Sequence, residues 1–383
     1  MKTKLIILTT ILLVVFVILP ISAEVEIGGE LKTNFSSIWE KGEFTSDLSE
    51  SLELELFIPP VGNDTDIKAK VLIYNPALEE VDSNGQVSKT HYNFEKLYLR
   101  HSFDKFDLTV GRQPISWGFG SLINPIDYTL GAVAMEETTT GKFQDAVEVY
   151  IPFDWNSGLS IVGSTVAGNF DNKYGLRGRT DIGSYDLNFT YVREPEVSLP
   201  AGENTPAFIR PAVNRYGLSA KGDLGPVGVY SAAAFYQMGE SDIKNYSYLI
   251  GGDYSYSYDY KTITMQMEYL NIKTDPIMKI MQGTNGLGSL GNIVETENIT
   301  SMLEEDINLL LGNVNYPIDD FSSVSLMTAA NFDDGSAALI PSYSRTLSDN
   351  LQLDVSGTVL TGDKNELFGG DSTMCNISLG YTF

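Results

Sequence analysis

From Glu24 to Phe383 the chain breaks into segments of about ten residues in which apolar and polar side chains alternate, the repeat expected of membrane-spanning strands. Val25, Ile27, Leu31 and Phe35 share one parity, and Glu26, Glu30, Lys32 and Asn34 share the other. Leu52, Leu54, Leu56 and Ile58 alternate with Glu53, Glu55 and Phe57; Ile67, Ala69, Val71 and Ile73 alternate with Lys68, Lys70, Leu72 and Tyr74. Successive side chains of a strand point to opposite faces, so each segment predicts one apolar face and one charged face. Charges at every second position are costly in a sandwich core but natural against a wet lumen.

The same alternation predicts a hairpin from Lys96 to Val110 and a strand through Val147, Val149, Ile151 and Phe153. Further strands are predicted over 158–167, 173–182, 184–193, 212–224, 226–238, 246–258, 261–272, 306–317, 321–332, 337–346, 350–362 and 372–383. The fold class expected is all-β, a transmembrane antiparallel β-barrel of 18 strands. A short helix near Ile299–Asn308 would disturb that count, and 16 strands is the alternative.

Connectors alternate too. Pro59–Asp64, Asp104–Lys105, Asp154–Asn156, Gly183, Gly225–Pro226, Asp259–Tyr260, Asp319–Asp320 and Ser348–Asp349 are short. Between them fall longer connectors at 40–47, 75–91, 113–142, 194–211, 239–245, 273–305 and 363–371, with 168–172 and 333–336 as short exceptions. Short turns at one rim and long loops at the other are the habit of a single-chain outer-membrane barrel, with the long loops outside. With both termini on the periplasmic side, 113–142 is the third outer loop. It lacks alternation and concentrates Gly, Pro, Trp, Arg and carboxylates, so it is expected to fold inward and narrow the lumen.

The first 23 residues read as an export leader: Lys2 and Lys4, an apolar run from Leu5 to Leu19, Pro20, and a small residue at Ala23 before Glu24. The rest, 24–383, reads as one barrel domain. Without the two leader lysines, 23 basic side chains face 50 acidic ones, a formal charge of −27. That balance argues against nucleic acid as a partner, because phosphate binding needs clustered Lys and Arg. One cysteine, Cys375, excludes an internal disulfide framework.

Gly111-Arg112-Gln113, then Trp117-Gly118, then Asn124-Pro125 with Asp127 resemble the loop motif of porin-type outer-membrane barrels that include alginate-export-like channels. The match covers Gly111 to Asp127 and is architectural elsewhere. It implies passage of small polar solutes or ions across the outer membrane of a diderm bacterium, with outer-membrane lipid around the barrel. Porins of this type often form homotrimers. A terminal strand with Ile377, Leu379, Tyr381 and a final Phe383 likewise resembles the strand read by the barrel-assembly machinery.

The residues expected to shape the narrow point are Arg112, Trp117, Asp127, Glu136 and Glu137. Strict alternation with Leu108 and Val110 sets Arg112 on the lipid side, unless a bulge at Gly111 turns it inward to brace the loop. Lys96, Arg100, Arg177, Arg179 and Arg215 fall at lumen parity and are expected to line the wall. Basic groups on the wall and acidic ones on the loop would set a field across the passage. Tyr246, Tyr248, Tyr254, Tyr256 and Tyr258 share one face, either as interface girdle or as a stacking track for sugars. An enzyme is not expected: only His91 and His101 exist, Ser102 points away from His101, and no hydrolase, metal or phosphate-binding motif occurs. No cofactor is called for. The competing reading is a barrel that serves adhesion or envelope structure rather than transport.

Overall fold

The computed structural model describes residues 25–40, 42–60, 62, 64–75, 80–81, 87–88, 91–118, 143–165, 172–199, 208–210, 212–238, 244–272, 307–363, 366–369 and 372–383. The described residues form strands and turns. The first strands are β1 (Glu26–Glu40), β2 (Glu43–Phe57), β3 (Thr65–Asn75), β4 (Glu80–Val81), β5 (Val87–Ser88), β6 (His91–Ser102), β7 (Asp107–Pro114) and β8 (Phe143–Pro152). Next come β9 (Gly158–Thr165), β10 (Asn172–Ile182), β11 (Tyr185–Glu194), β12 (Val197–Leu199), β13 (Phe208–Arg210), β14 (Val213–Leu224), β15 (Val227–Met238) and β16 (Lys244–Tyr258). The last are β17 (Lys261–Ile272), β18 (Ile307–Asp319), β19 (Ser322–Asn331), β20 (Ala337–Ser348), β21 (Leu351–Thr361) and β22 (Ser372–Thr382).

Eighteen of these strands make one sheet in which each ring neighbour is antiparallel. β22 returns to β1, and Gly29 and Phe383 exchange backbone hydrogen bonds of 3.0 Å, closing the barrel. The pairs β4–β5 and β12–β13 are separate two-stranded hairpins inside long connectors. The 16-strand alternative therefore does not hold. Nor does the helix near Ile299–Asn308 at its described end, since Ile307 and Asn308 already belong to β18. The connector expected at 40–47 is also corrected: β1 and β2 pair out to Glu40 opposite Glu43, and a tight turn with Gly42 at φ 85° joins them.

In antiparallel pairs, directly opposite residues share a face, so the register assigns every position to lumen or exterior. Lys70 lies opposite Glu55 and Lys96, Arg100 opposite Thr109, and Thr109 opposite Glu148. The same parity runs from Glu148 through Val162, Gly175, Val192, Arg215 and Tyr236 to Asn245, always toward the lumen. The opposite parity is apolar and open to the surroundings: Leu218 and Met267 are each 62% exposed, and Ile27, Leu31, Val147, Ile250, Leu326 and Ile377 are exposed as well. An apolar belt on all sides exceeds the patches that a soluble monomer carries and matches a hydrocarbon environment.

Aromatic rings frame this belt. Tyr191 lies 6.3 Å from Tyr174 and 5.2 Å from Tyr216 between ring centroids. Tyr248 lies 6.4 Å from Tyr246 and 6.0 Å from Tyr269, which lies 6.4 Å from Phe332. Tyr246 to Tyr258 alternate with lumen-facing Asn245, Ser247, Leu249, Gly251 and Asp253, so these tyrosines point outward as interface girdle. The stacking-track reading does not hold.

Candidate functional site: the lumen and the entry of the third outer loop

Gly111 is where β7 prepares to leave the wall. Its φ is 123°, and a Cβ there would stand 2.2 Å from the Leu97 carbonyl oxygen, so only glycine fits between the neighbouring strands. Alternation nevertheless continues across it. Gln113 is buried on the lumen side and donates from Nε2 to the Ala146 carbonyl at 3.1 Å. Ile115 and Trp117 follow at the same parity and bury themselves with Ala146, Val162 and Val192, three lumen-facing residues of β8, β9 and β11. The start of the loop thus lies inside the barrel against its wall.

Arg177 of β10 holds this segment from below. Its guanidinium carbon is 5.7 Å from the centre of the Trp117 ring, Nη1 donates to the Ser116 carbonyl at 3.5 Å, and Nη2 donates to Ser160 Oγ at 3.5 Å. Arg112 does not share in this. It pairs with Leu97 and Asp145 in the register, on the same face as Val110 and Val147, and its Nη1 is 3.5 Å from Asp145 Oδ2. Gly111 makes no bulge in the β6–β7 or β7–β8 ladder, so nothing turns Arg112 inward. Placing Arg112 at the constriction is therefore corrected: it is a rim residue of the outer face. Asp127, Glu136 and Glu137 lie outside the described residues, as does the leader, 1–23.

All five expected wall residues stand at lumen parity, each beside carboxylates or polar groups. Lys96 Nζ is 3.6 Å from Glu55, Arg100 pairs with Asp107, and Arg179 is 3.5 Å from Asp186. Arg215, 1% exposed, is 3.9 Å from Glu194, which also binds Lys173 at 2.8 Å. Lys70 was not among the expected residues, yet it joins Glu53 at 2.8 Å and Glu95 at 3.0 Å. A bulge after Lys70 brings Glu95 into reach, opposite no partner in the ladder, and that step was invisible to simple alternation.

The other side of the lumen has different chemistry. Among the described residues, lumen positions of β15 to β22 carry no Lys or Arg; they offer Asn313, Asn315, Ser323, Ser325, Ser342, Ser344, Ser356 and Asn376. Ser325 and Ser342 share a hydrogen bond of 2.6 Å across β19 and β20. Toward the loop side the same parity turns apolar, and Leu249, Leu270, Leu309, Ala329 and Ala338 are buried.

His101 faces outward and pairs with Thr65 Oγ1 at 2.7 Å; His91 opens β6 rather than lying in a loop. No group of three or more His, Cys, Asp or Glu among the described residues is arranged to hold a metal ion.

No protein-family model and no curated protein matches this chain in sequence. Solved structures share its fold. OccAB3 of Acinetobacter baumannii is 11% identical with a TM-score of 0.58, over 94% of this chain and 99% of that one. OccK8 (OprE) of Pseudomonas aeruginosa is 10% identical with a TM-score of 0.56, over 94% and 98%. Wzi of Escherichia coli, described as a carbohydrate-binding β-barrel involved in group 1 capsule assembly, is 14% identical with a TM-score of 0.56, over 92% and 84%. This likeness is one of fold, a closed antiparallel β-barrel.

Proposed function

We propose that this chain is an outer-membrane porin: a water-filled channel for passive diffusion of small polar solutes or ions, narrowed by the loop 113–142. One observation carries the reading. Around a closed ring of 18 strands the register sends charge, hydroxyl and amide groups inward and apolar groups outward, while Ile115 and Trp117 fold into the lumen. A barrel of this size leaves room for an aqueous path, unlike an eight-stranded one filled by its own side chains.

The remaining parts of the reading follow from it. Residues 1–23 act as the export leader, 24–383 as one barrel domain, and the terminal strand ending at Phe383 engages the assembly machinery. Outer-membrane lipid surrounds the belt. Trp117 belongs to the narrow point, together with Asp127, Glu136 and Glu137, and the barrel assembles as a homotrimer. The motif from Gly111 to Asp127 aligns the chain with alginate-export-like channels, and the lumen needs no cofactor and performs no catalysis.

The test is single-channel conductance in a planar bilayer under a salt gradient, for the intact chain and for a deletion of 119–139. Stepwise conductance that grows on deletion is the expected result, with the reversal potential giving ion preference. A correctly folded barrel that passes no current in either form would overturn the channel reading. The alternative, a barrel serving adhesion or envelope structure, would then take its place; the fold shared with Wzi, described as acting in capsule assembly, favours that second reading over others.

A further inference from the structure

A second described segment leaves the wall toward the lumen, on the far side from Trp117. Gly362 and Asp363 follow β21, and Glu366 to Gly369 precede β22. Leu367 and Phe368 are 7% and 1% exposed, unusual for large apolar residues in an outer connector. Their backbone is pinned to the turn between β19 and β20. Leu367 N–H donates to Asp334 Oδ2 at 2.7 Å, and Phe368 N–H donates to Ser336 Oγ at 3.1 Å. Ser336 shares the lumen parity of Ala338 and is 0% exposed, so Phe368 reaches β20 from inside the barrel.

The segment is compact and prefabricated. Glu366 N–H donates to the Asp363 carbonyl and Gly369 N–H to the Glu366 carbonyl, each at 2.9 Å, while Glu366 Oε2 accepts from Asp363 N–H at 2.6 Å. Gly362 has φ 156°, and a Cβ on it would stand 2.7 Å from the Ser336 Cβ, so the seat leaves no space for a side chain. Beside it the lumen positions Ala329, Ala338 and Leu360 form a small apolar floor, 2%, 1% and 8% exposed.

Ring position gives the seat its meaning. In ring order β9, beneath Ile115 and Trp117, is the seventh strand and β20 is the sixteenth, nine steps apart in a ring of 18. The two inward segments stand on opposite walls. We infer that Asp363 and Glu366–Gly369, clasped by Asp334 and Ser336, form a fixed lip that narrows the outer mouth from the wall facing the third loop. Passage is then set by two jaws rather than one loop. The inference rests on the channel reading above.

Two measurements test it on the full chain with Cys375→Ser. The first compares single-channel conductance of the parent with the Asp334→Ala/Ser336→Ala double variant, which removes the clasp and leaves the third loop intact. The expected result is a rise on the order of 1.5-fold, with added flicker. The second places Ala338→Cys in the floor and follows labelling by a membrane-impermeant maleimide. Labelling is slow with the clasp and faster by on the order of ten-fold without it, as a local opening requires. Faster labelling with unchanged conductance overturns the lip, as does unchanged labelling. In either case a conducting parent leaves the channel reading standing. A parent that passes no current removes both.

Discussion

The two sides of the lumen share one backbone plan and differ in chemistry. From β1 to β14 the inward positions hold ionic clusters; from β15 to β22 they hold hydroxyls and amides, with acids such as Asp253, Glu268 and Asp354 but, among the described residues, no base. The exterior shows no such division, because lipid asks the same of every strand. Closing the ring therefore requires only the outer pattern. The inner asymmetry is free of that requirement, and it is where solute selection has room to act.

Removing one partner from an ionic cluster breaks the comparison most severely. Lys70→Met leaves Glu53 and the 5%-exposed Glu95 facing each other, and about 3 kcal/mol of unfolding free energy should be lost in vesicle-based urea titrations. A loss below about 1 kcal/mol would mean that water screens the cluster as it does a surface pair. Next in size is a charge added to the neutral side. Ser342→Lys, with no carboxylate directly across from it at Ser325 or Ser356, should move the reversal potential toward anions. The conservative Arg179→Lys, beside Asp186, should leave that potential in place.

Acid sharpens the contrast at the mouth. Burial pushes the Asp334 carboxyl up, but the Leu367 N–H, the Ser336 hydroxyl and N–H, and Asn331 outweigh it and hold the group below the usual carboxylate range. A depressed folded value stabilises the clasp above the unfolded pKa near about 4 and loses that contribution as pH falls through the folded value. Maleimide labelling of Ala338→Cys, taken as a ratio to the same cysteine in the Asp334→Ala/Ser336→Ala background so that the thiol's own ionisation cancels, should thus hold a constant ratio from neutral pH down to about 5 and rise only below about 4. A rise already at pH 6 would assign the switch to another group. The smallest effect is expected from Ser342→Ala, which deletes one 2.6 Å hydrogen bond and should cost about 1 kcal/mol without changing selectivity.

Most of the wall was legible because period-two alternation with inward charge leaves few ways to thread a strand. The segment 261–272 coincides with β17, and most other boundaries fall within two residues. The β1–β2 hairpin escaped because Ser46 and Ser37 interrupt the apolar face between the Leu48–Phe35 and Phe44–Trp39 pairs, and the aromatic contact that continues the ladder shows only once the two strands are set side by side. Arg112 is instructive in a different way. Alternation alone set it outward, and the resemblance of its motif drew it to the pore; the register agrees with the alternation.

What could not be read are contacts that depend on which strands end up adjacent. Arg177 meets Ser116 across 61 positions of chain, and Leu367 meets Asp334 across 33. One signal was available: Leu249, Leu270, Leu309, Ala329, Ala338 and Leu360 interrupt the polar series at lumen parity. An apolar residue facing a supposed water column marks a place where something covers it.

The nine-strand separation of the two seats also bears on how such a chain can change through descent. A closed antiparallel ring gains or loses strands by whole hairpins. One hairpin duplicated between β9 and β20 would leave eleven steps on one side and nine on the other, carrying the seats off the diameter. Keeping both seats opposite therefore bars a hairpin added to one arc alone and admits only matched additions to both, while the other outer loops remain free to lengthen, shorten and diversify.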